Sequence, residues 1–356
     1  MADRRIHISP SWSFRDDSGQ QLDRQLFVLL GAIHEQGKLT AAAKQAGISY
    51  RHGWNLLNKW AAFFGTELVT LEKGRGARLT PLGEKLLWAE QRVVARLQPQ
   101  MENLASELNV EIHRALEDIT PLLRMHASHG YAVALLPQFT DNFQLDLQYK
   151  SPLDALASLN RGSCDIAGFH LPVDVPIRSQ RQVYDRLLKP RAHRIIRFIT
   201  RRMGLMVARG NPRRVGGIAD LRRDDIRFVN RQKDSGTRSL LDQLLHNARI
   251  AHKEVQGFDD EEFTHSAVAA YVGAGMADVG FGVEAAARQF DLDFVAVTEE
   301  HYLLLCHQRS LNQAAMQAFI GTIQSPDFLQ AVDNLPGYSA DLCGEIQAVE
   351  DVFPGI

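Results

Sequence analysis

From Leu22 to about Gln36 apolar residues recur at three- and four-residue steps, which puts Leu26, Leu29, Leu30 and Ile33 on one face of a helix that Gly37 ends. The stretch that follows, KLTAAAKQAGISYRHGWNLLNKWAAFFG, predicts two more helices. Thr40 is placed to cap a short, alanine-rich helix over 41–46. Gly47 supplies a tight turn, and Ser49 caps a longer helix that stops near Gly65. Two helices joined by a glycine-centred turn have the form of a helix-turn-helix, and the alanines allow a close crossing. LVTLEKGRGARLT then alternates as a hairpin does, with Gly74 and Gly76 at the tip and Lys73, Arg75 and Arg78 around it. A basic hairpin in that position is a wing. Upstream, IHISPSWSF over 6–14 also alternates and predicts a short strand or hairpin arm.

Thr80 and Pro81 read as the cap and first residue of a long helix over 81–117. Leu82, Leu86, Ala89, Val93 and Leu97 recur on one side of it, as do Leu104, Leu108 and Ile112, and Pro99 predicts a kink or split. Such a stripe fits either a core or an interface. With no partner helix nearby in sequence, it is read as a dimerisation surface joining two parts of the chain. Beyond Pro121 the texture changes to short apolar strands, among them CDIAGF, LMVA, IRFV, ADVGF and DFVAV, most of them separated by helical segments. This predicts an α/β domain with largely parallel sheets. In such folds ligands bind beyond the carboxyl ends of strands, where helix N-termini point. The expected division is therefore 1–80, 81–117 and 118–356.

A chain of 356 residues has room for two or three domains, and 45% hydrophobic with 23% charged residues is ordinary for globular proteins. The net charge of -2 means that any nucleic-acid contact comes from a local basic patch. Cys164, Cys306 and Cys343 are widely spaced with no CxxC pair, as expected for free thiols in a reducing cytoplasm. MADRRIHISPSWSF has no apolar secretory core, and no run approaches the ~20 apolar residues that span a bilayer. A cytoplasmic protein without membrane contact is expected.

Two constellations carry chemistry. With Ser49 as cap, Tyr50, Arg51, His52, Asn55 and Lys59 fall on or near an exposed helix face, while Leu57, Trp60 and Phe64 pack inward. Arginine and asparagine at the start of such a helix can read guanine or adenine edges. Lys73, Arg75 and Arg78 suit phosphates or the minor groove, and Thr40 and Ser49 complete the DNA-contact set. The second constellation is VNRQKDSGTRSLL, a strand, a polar turn and a helix. Ser235, Gly236 and Thr237 would begin that helix, whose first N–H groups are unpaired at the positive end of its dipole. Arg231 and Arg238 could add charge-assisted contacts to an anion. The plainer reading is a cap by Ser235 or Asp234 with exposed arginines. The same logic recurs at Ser128 and His129 in RMHASHGYAVALLP, and at Thr264, His265 and Ser266 in FTHSAVAAYV. Three such helix starts can converge on one anion. His126 and His129 lack a nearby carboxylate or thiol, so no metal cation site and no cofactor are expected.

The segment from Gly37 to Leu87 closely resembles the winged helix of molybdate-responsive ModE regulators and, more distantly, that of the LysR type. The resemblance rests on the Thr-Ala-Ala-Ala helix, Gly-Ile-Ser-Tyr-Arg, a tryptophan in the second helix, and Leu-Thr-Pro-Leu-Gly after the wing. It implies a DNA-binding dimer. Residues from about 120 to 340 look like the periplasmic-binding-protein-like domain of some cytoplasmic regulators, related to tungstate- and molybdate-binding proteins. The matching strings are ASHGYAVALL, GSCDIAGFHLP, FVNRQKDSGTRSLLD, THSAVAAYVGAGMADVGFG and DFVAVTEEHYLLL. This implies a type II, two-lobed domain. Lobe I would hold about 118–200 and 298–356, lobe II about 201–297, with GLMVA and HYLLLC near the crossings. The duplicated small molybdate-binding modules of many ModE proteins have no counterpart here.

The expected protein is a dimeric, ligand-responsive transcription regulator that binds a double-stranded operator and senses a small oxyanion, molybdate or tungstate, and is not an enzyme. Its rivals are the same regulator sensing another small anion or carboxylate, and an enzyme for a phosphorylated or pterin substrate with a DNA-binding appendage. For that enzyme Glu284 and His170 are the available groups, although GVEAAA and GFHLP read more simply as a helix start and a strand end.

Overall fold

The computed structural model describes residues 8, 15, 19, 21, 24–72, 76–115, 120–140, 142–173 and 184–354. The arm expected over 6–14 lies outside them except for Ile8, as do Leu22, Lys73, Gly74 and Arg75. Two compact units emerge: Ser9–Ala95, and Arg96–Ile356 together with Met1–Ile8.

The smaller unit contains α1 (Arg24–Gln36), α2 (Leu39–Gln45), α3 (Tyr50–Phe64), β1 (Val69–Glu72), β2 (Gly76–Leu79) and the start of α4 (Pro81–Ala115). The periodic residues Leu26, Leu29, Leu30 and Ile33 are fully buried and meet Ala42, Leu56, Leu57, Trp60 and Leu87 in one core. Leu82 and Leu86 pack against the same cluster, so this part of the α4 stripe belongs to the core, not to an open interface. Leu39 also joins the core and draws the start of α2 back. Lys38, extended at φ -144°, therefore stands at the cap position where Thr40 was expected, and Thr40 is exposed in the first turn. Ser49 does cap α3, its hydroxyl accepting from the His52 N–H at 3.2 Å. Strands β1 and β2 pair antiparallel from Val69↔Leu79 to Glu72↔Gly76. Gly76 has φ +99°, and a β-carbon there would sit 2.2 Å from the Gly37 carbonyl oxygen. Ala77 donates to that oxygen at 2.8 Å, so glycine at 76 lets the wing close onto the end of α1.

Helix α4 runs unbroken through Pro99, where the sequence predicts a kink or split. Proline removes one backbone bond, but packing of side chains on both sides of it holds the helix. Leu82, Leu86 and Leu87 anchor the N-terminal part within the smaller unit. In the larger unit Asn103 and Ser106 anchor the C-terminal part: the N–H groups of Tyr149 and Leu147 donate to Asn103 Oδ1 at 2.6 Å and Ser106 Oγ at 2.9 Å.

The larger unit is built on β3 (Leu122–Ala127), β4 (Gln144–Tyr149), β5 (Ile166–Pro172), β6 (His193–Val207), β7 (Phe228–Arg231), β8 (Glu261–Glu262), β9 (Val279–Val283) and β10 (Asp293–His307). Their order is β4-β3-β5-β10-β6-β9-β7-β8. β3 pairs parallel with β4 and β5, and β7 pairs parallel with β8 and β9, as the strand–helix alternation predicts. The 15-residue strands β6 and β10 are antiparallel and link the two halves. On β6 the partner changes from β11 (Tyr338–Ser339) at Thr200 and Arg201 to β9 from Met203 onward. On β10 the pairing with β5 begins at Glu300. A register irregularity between Ala296 and Thr298 lies just before this passage. The chain thus has an α/β, two-lobed body preceded by a winged helix and a long helix. Among the described residues no helix is long and apolar enough to cross a membrane.

Candidate ligand cleft and DNA-contact face

The passage between lobes places charge in the interior. Arg201 and Glu300 are cross-strand partners on β6 and β10, exposed by 2% and 0%. Arg201 Nε and Nη2 donate to Glu300 Oε2 at 2.9 and 2.7 Å. Arg201 Nη2 also donates to His170 Nδ1 at 3.2 Å. A guanidinium only donates, so Nδ1 accepts and His170 carries its hydrogen on Nε2. That edge of the ring faces Gly236, where a β-carbon would lie 2.6 Å from His170 Cδ2.

After α6 (Pro152–Asn160), Gly236 begins α7 (Gly236–Asn247). Ser235 caps it completely: its hydroxyl donates to the Gln232 carbonyl at 2.8 Å and accepts from the Arg238 N–H at 3.1 Å. The N–H groups of Gly236 and Thr237 remain as the unpaired donors of the first turn. Thr237 is buried, and its Oγ1 lies 3.5 Å from Nε2 of His265, the first residue of α8 (His265–Gly273). Thr264 caps α8 by accepting from the Ala267 N–H at 2.9 Å. Two helix N-termini from adjoining segments therefore meet at the Thr237–His265 contact.

Arg231, at the end of β7, completes the cluster. It is 6% exposed and donates to the Gln232 side chain and the Phe263 carbonyl, both at 3.0 Å. Among the described residues it makes no ion pair with a carboxylate. Burial first, and Arg201 second, pull its guanidinium down to about 9. Burial, then the neighbouring arginines, holds His170 and His265 well below the ordinary histidine value. Burial followed by Arg231 brings His129 down to about 4. Glu300 pairs with Arg201, whereas Asp234 and Glu300 act on Arg231 only from a distance, so among the described residues Arg231 stands without an ion pair beside neutral imidazoles and helix N-termini. Interior cations are normally paired, because an unpaired one is costly to desolvate.

Several expected ligands are occupied otherwise. Arg238, expected to neutralise the anion, turns away: it is held by Glu261 and Asp242 at 3.2 and 3.3 Å and stacks 3.9 Å over Phe258. The Ser128 N–H donates to the Tyr302 hydroxyl at 2.8 Å, and its own hydroxyl points to the Lys150 carbonyl at 3.5 Å. Ser266 Oγ meets the hydroxyl of Tyr131, which opens α5 (Tyr131–Leu135), at 2.8 Å, and Tyr131 also bonds Gln289. The structure thus brings together Arg231, Gly236, Thr237 and His265 with His129 beside them, and leaves Ser235 and Thr264 as caps. Glu284 is paired with Arg202 and Arg288, each at 3.0 Å. Arg201, Glu300 and His170 were not foreseen as a ligand cluster. Their signal was present: FITRRMGLMV and VTEEHYLLL each place a like-charged pair inside an apolar strand, and alternation forces one member inward. Among the described residues no group of three or more His, Cys, Asp or Glu side chains could hold a metal ion.

In the smaller unit α3 presents Tyr50, Arg51, His52, Asn55 and Lys59 as exposed residues, while Leu56, Leu57 and Trp60 are buried beneath them. Lys59 Nζ lies 4.8 Å from the Trp60 ring centroid, and His52 Nε2 is 3.0 Å from Gln25 Oε1, which ties His52 to α1. Arg78 is exposed on β2; Lys73 and Arg75 lie outside the described residues.

The profile of the PBP superfamily domain matches residues 135–324, more than half of the chain. The uncharacterized protein YvgK of Bacillus subtilis (strain 168) is 33% identical over 200 residues, 56% of this chain and 64% of that protein. The molybdenum-pterin-binding protein MopB of Rhodobacter capsulatus is 29% identical over 119 residues, 32% of this chain and 43% of that one. The molybdenum transport protein ModE of Herbaspirillum seropedicae is 37% identical over 76 residues, 20% and 28% of the two chains. The chain spans less than two thirds of the length of each of these relatives. Among solved structures, an H2O2-bound mutant of OxyR from Corynebacterium glutamicum aligns with a TM-score of 0.44 at 16% identity, covering 87% of this chain and 93% of that one.

Proposed function

The chain belongs to the PBP superfamily, and on that premise we propose that its cleft binds a small oxyanion and that the chain is a DNA-binding transcription regulator responding to it. The observation that carries the reading is Arg231, a buried cation in no ion pair among the described residues, set beside the first turns of α7 and α8. The groups around that point include several donors: the Gly236 and Thr237 N–H groups, the Thr237 hydroxyl, His170 Nε2–H and the Arg231 guanidinium. A hydrogen-poor anion such as molybdate or tungstate accepts from all of them, and two partial relatives are molybdenum proteins by name. Ligand would favour the arrangement in which the lobes meet, and that differential affinity is what shifts a regulator's state.

The winged helix supplies the output. Arg51 and Asn55 would enter the major groove, and Arg78 with the wing tip would hold phosphates. Leu104 and Leu108, exposed by 50% and 41% on α4, would form part of a homodimer surface. Such a protein would work in the cytoplasm and would not be an enzyme. Calorimetric titration with tungstate, molybdate, sulfate, phosphate and a simple carboxylate tests the effector. Binding of tungstate or molybdate in preference to the others supports the reading, carboxylate preference replaces the effector, and no binding by any anion removes it.

A further inference from the structure

Glu102 carries the linker helix to the edge of the cleft. Its Oε2 lies 3.9 Å from His129 Nε2. Both atoms are buried, and neither has a hydrogen-bond partner among the described residues. His129 stands between β3 and α5, with its ring edge-on to Tyr149 at 4.9 Å. The Tyr149 hydroxyl in turn bonds Glu102. Asn103 and Ser106, the neighbours of Glu102 on α4, are bound to the backbone of β4, so the carboxylate is held in place. The titratable and charged groups facing His129 are Glu102 from α4, Tyr149 from β4, Arg231 from β7 and His265 from α8. Glu102 favours a protonated imidazole; burial and Arg231 oppose it. At neutral pH the opposition prevails, His129 is uncharged, and the pair stands open.

We infer that the cleft takes up its anion together with one proton, which settles on His129 Nε2 and closes an ion pair with Glu102 of the linker helix. The inference rests on the oxyanion reading above. The proton comes from solvent, no bond of the ligand breaks, and imidazole becomes imidazolium. Burial is the larger cause of His129's neutrality and Arg231 the smaller; a dianion beside Arg231 cancels the smaller and leaves one negative charge over, which together with Glu102 favours the proton against burial. A monoanion is neutralised by Arg231 alone and needs no proton. The site is therefore specific for doubly charged tetrahedral anions. Occupancy becomes a new ion-pair partner for residue 102 of a helix that is continuous from Pro81.

The full-length protein titrated with tungstate at pH 7, in buffers of differing ionisation heat, reads the proton directly. Uptake approaching one proton per tungstate is expected, with little uptake for perchlorate. H129Q should abolish uptake, and E102Q should reduce it. In the parent, tungstate affinity should fall by up to about tenfold per pH unit for as long as His129 is protonated in the complex and neutral in the free protein, and should level off at higher pH, where the complexed His129 has also lost its proton. This pH slope should flatten in both variants. E102Q, partly exposed on its helix, keeps the test decisive should H129Q fail to fold. Tungstate binding without proton uptake, or with the same uptake in E102Q as in the parent, overturns this inference alone. No binding of any anion by the parent overturns the oxyanion reading and this one with it.

Discussion

Gly236 lies against His170 so closely that a β-carbon would sit 2.6 Å from the ring, and the two residues come from opposite lobes. The contact is possible only while residue 236 has no side chain. Gly236→Val should therefore hold the lobes apart and lower oxyanion affinity by at least about tenfold, or ~1.4 kcal/mol. DNA affinity without anion should be unchanged, since the winged helix is a separate unit. Parallel anion titration and gel shift would check this; unaltered anion binding would mean that the cleft does not close on its ligand here.

Arg231 and Arg238 are both buried arginines, seven residues apart, with different surroundings. Arg231→Ala removes the unpaired charge and should cost roughly 2–5 kcal/mol of anion affinity. Thr237→Ala should cost about 1–3 kcal/mol, the worth of a hydrogen bond to a charged group. Arg238→Ala strands Glu261 and should instead lower the unfolding midpoint. Anion titration beside thermal unfolding separates the three; equal losses of affinity for both arginines would contradict the assignment.

Acid should destabilise the chain before its carboxylates titrate. Burial holds His126, His129 and His193 down to about 4, and His170 and His265 well below their ordinary value of 6.5. The unfolded chain binds protons at these residues below pH 6.5, and the folded chain does not. Stability is thus complete above 6.5 and declines as pH falls toward 4, by up to about 1.4 kcal/mol per pH unit for each fully neutral histidine. Urea unfolding of ligand-free protein at pH 7, 6 and 5 measures this. A flat profile would show that these rings are solvated or already charged.

On DNA, Arg51→Ala or Asn55→Ala should weaken and relax recognition by roughly 1–3 kcal/mol, the range for a bidentate base contact. Arg78→Ala should weaken all sequences alike and reduce the salt slope. Selection from random duplexes followed by salt-dependent gel shifts distinguishes these patterns. If none of the three changes binding, the docking face lies elsewhere.

Assembly is expected to depend on the outer part of α4. Leu104→Glu with Leu108→Glu should yield monomers by light scattering with folding intact, because both leucines are exposed. Leu86→Glu should instead unfold the winged helix, whose core it adjoins. An unchanged mass for the first pair would move the dimer surface off this helix.

The winged helix was legible because its signals are local. Ser49 and Gly65 act within a few residues of themselves, and the leucines of α1 share one face by period alone. Thr40 was misplaced because burial of Leu39, a tertiary effect, decides where α2 begins. In the cleft the helix starts at Gly236 and His265 were readable for the same local reason. Arg201 and Glu300 were not, since their meeting depends on the register of strands 99 residues apart. Arg238 was misjudged because Phe258 and Glu261 arrive from beyond the end of its own helix.

Strand β4 lies at the border of the sheet, where unpaired N–H and carbonyl groups invite another chain to add on. Asn103 and Ser106 occupy two of those N–H groups, and Asn103 Nδ2 also reaches the Tyr149 carbonyl at 3.3 Å. The helix that joins the two units is thus also a guard against strand-to-strand aggregation. A fragment cut at 118 would leave that border bare, whereas one beginning at 96 would keep it covered. The natural seam of the protein for separate study of its sensing half therefore falls inside a helix, not in the loop that follows it.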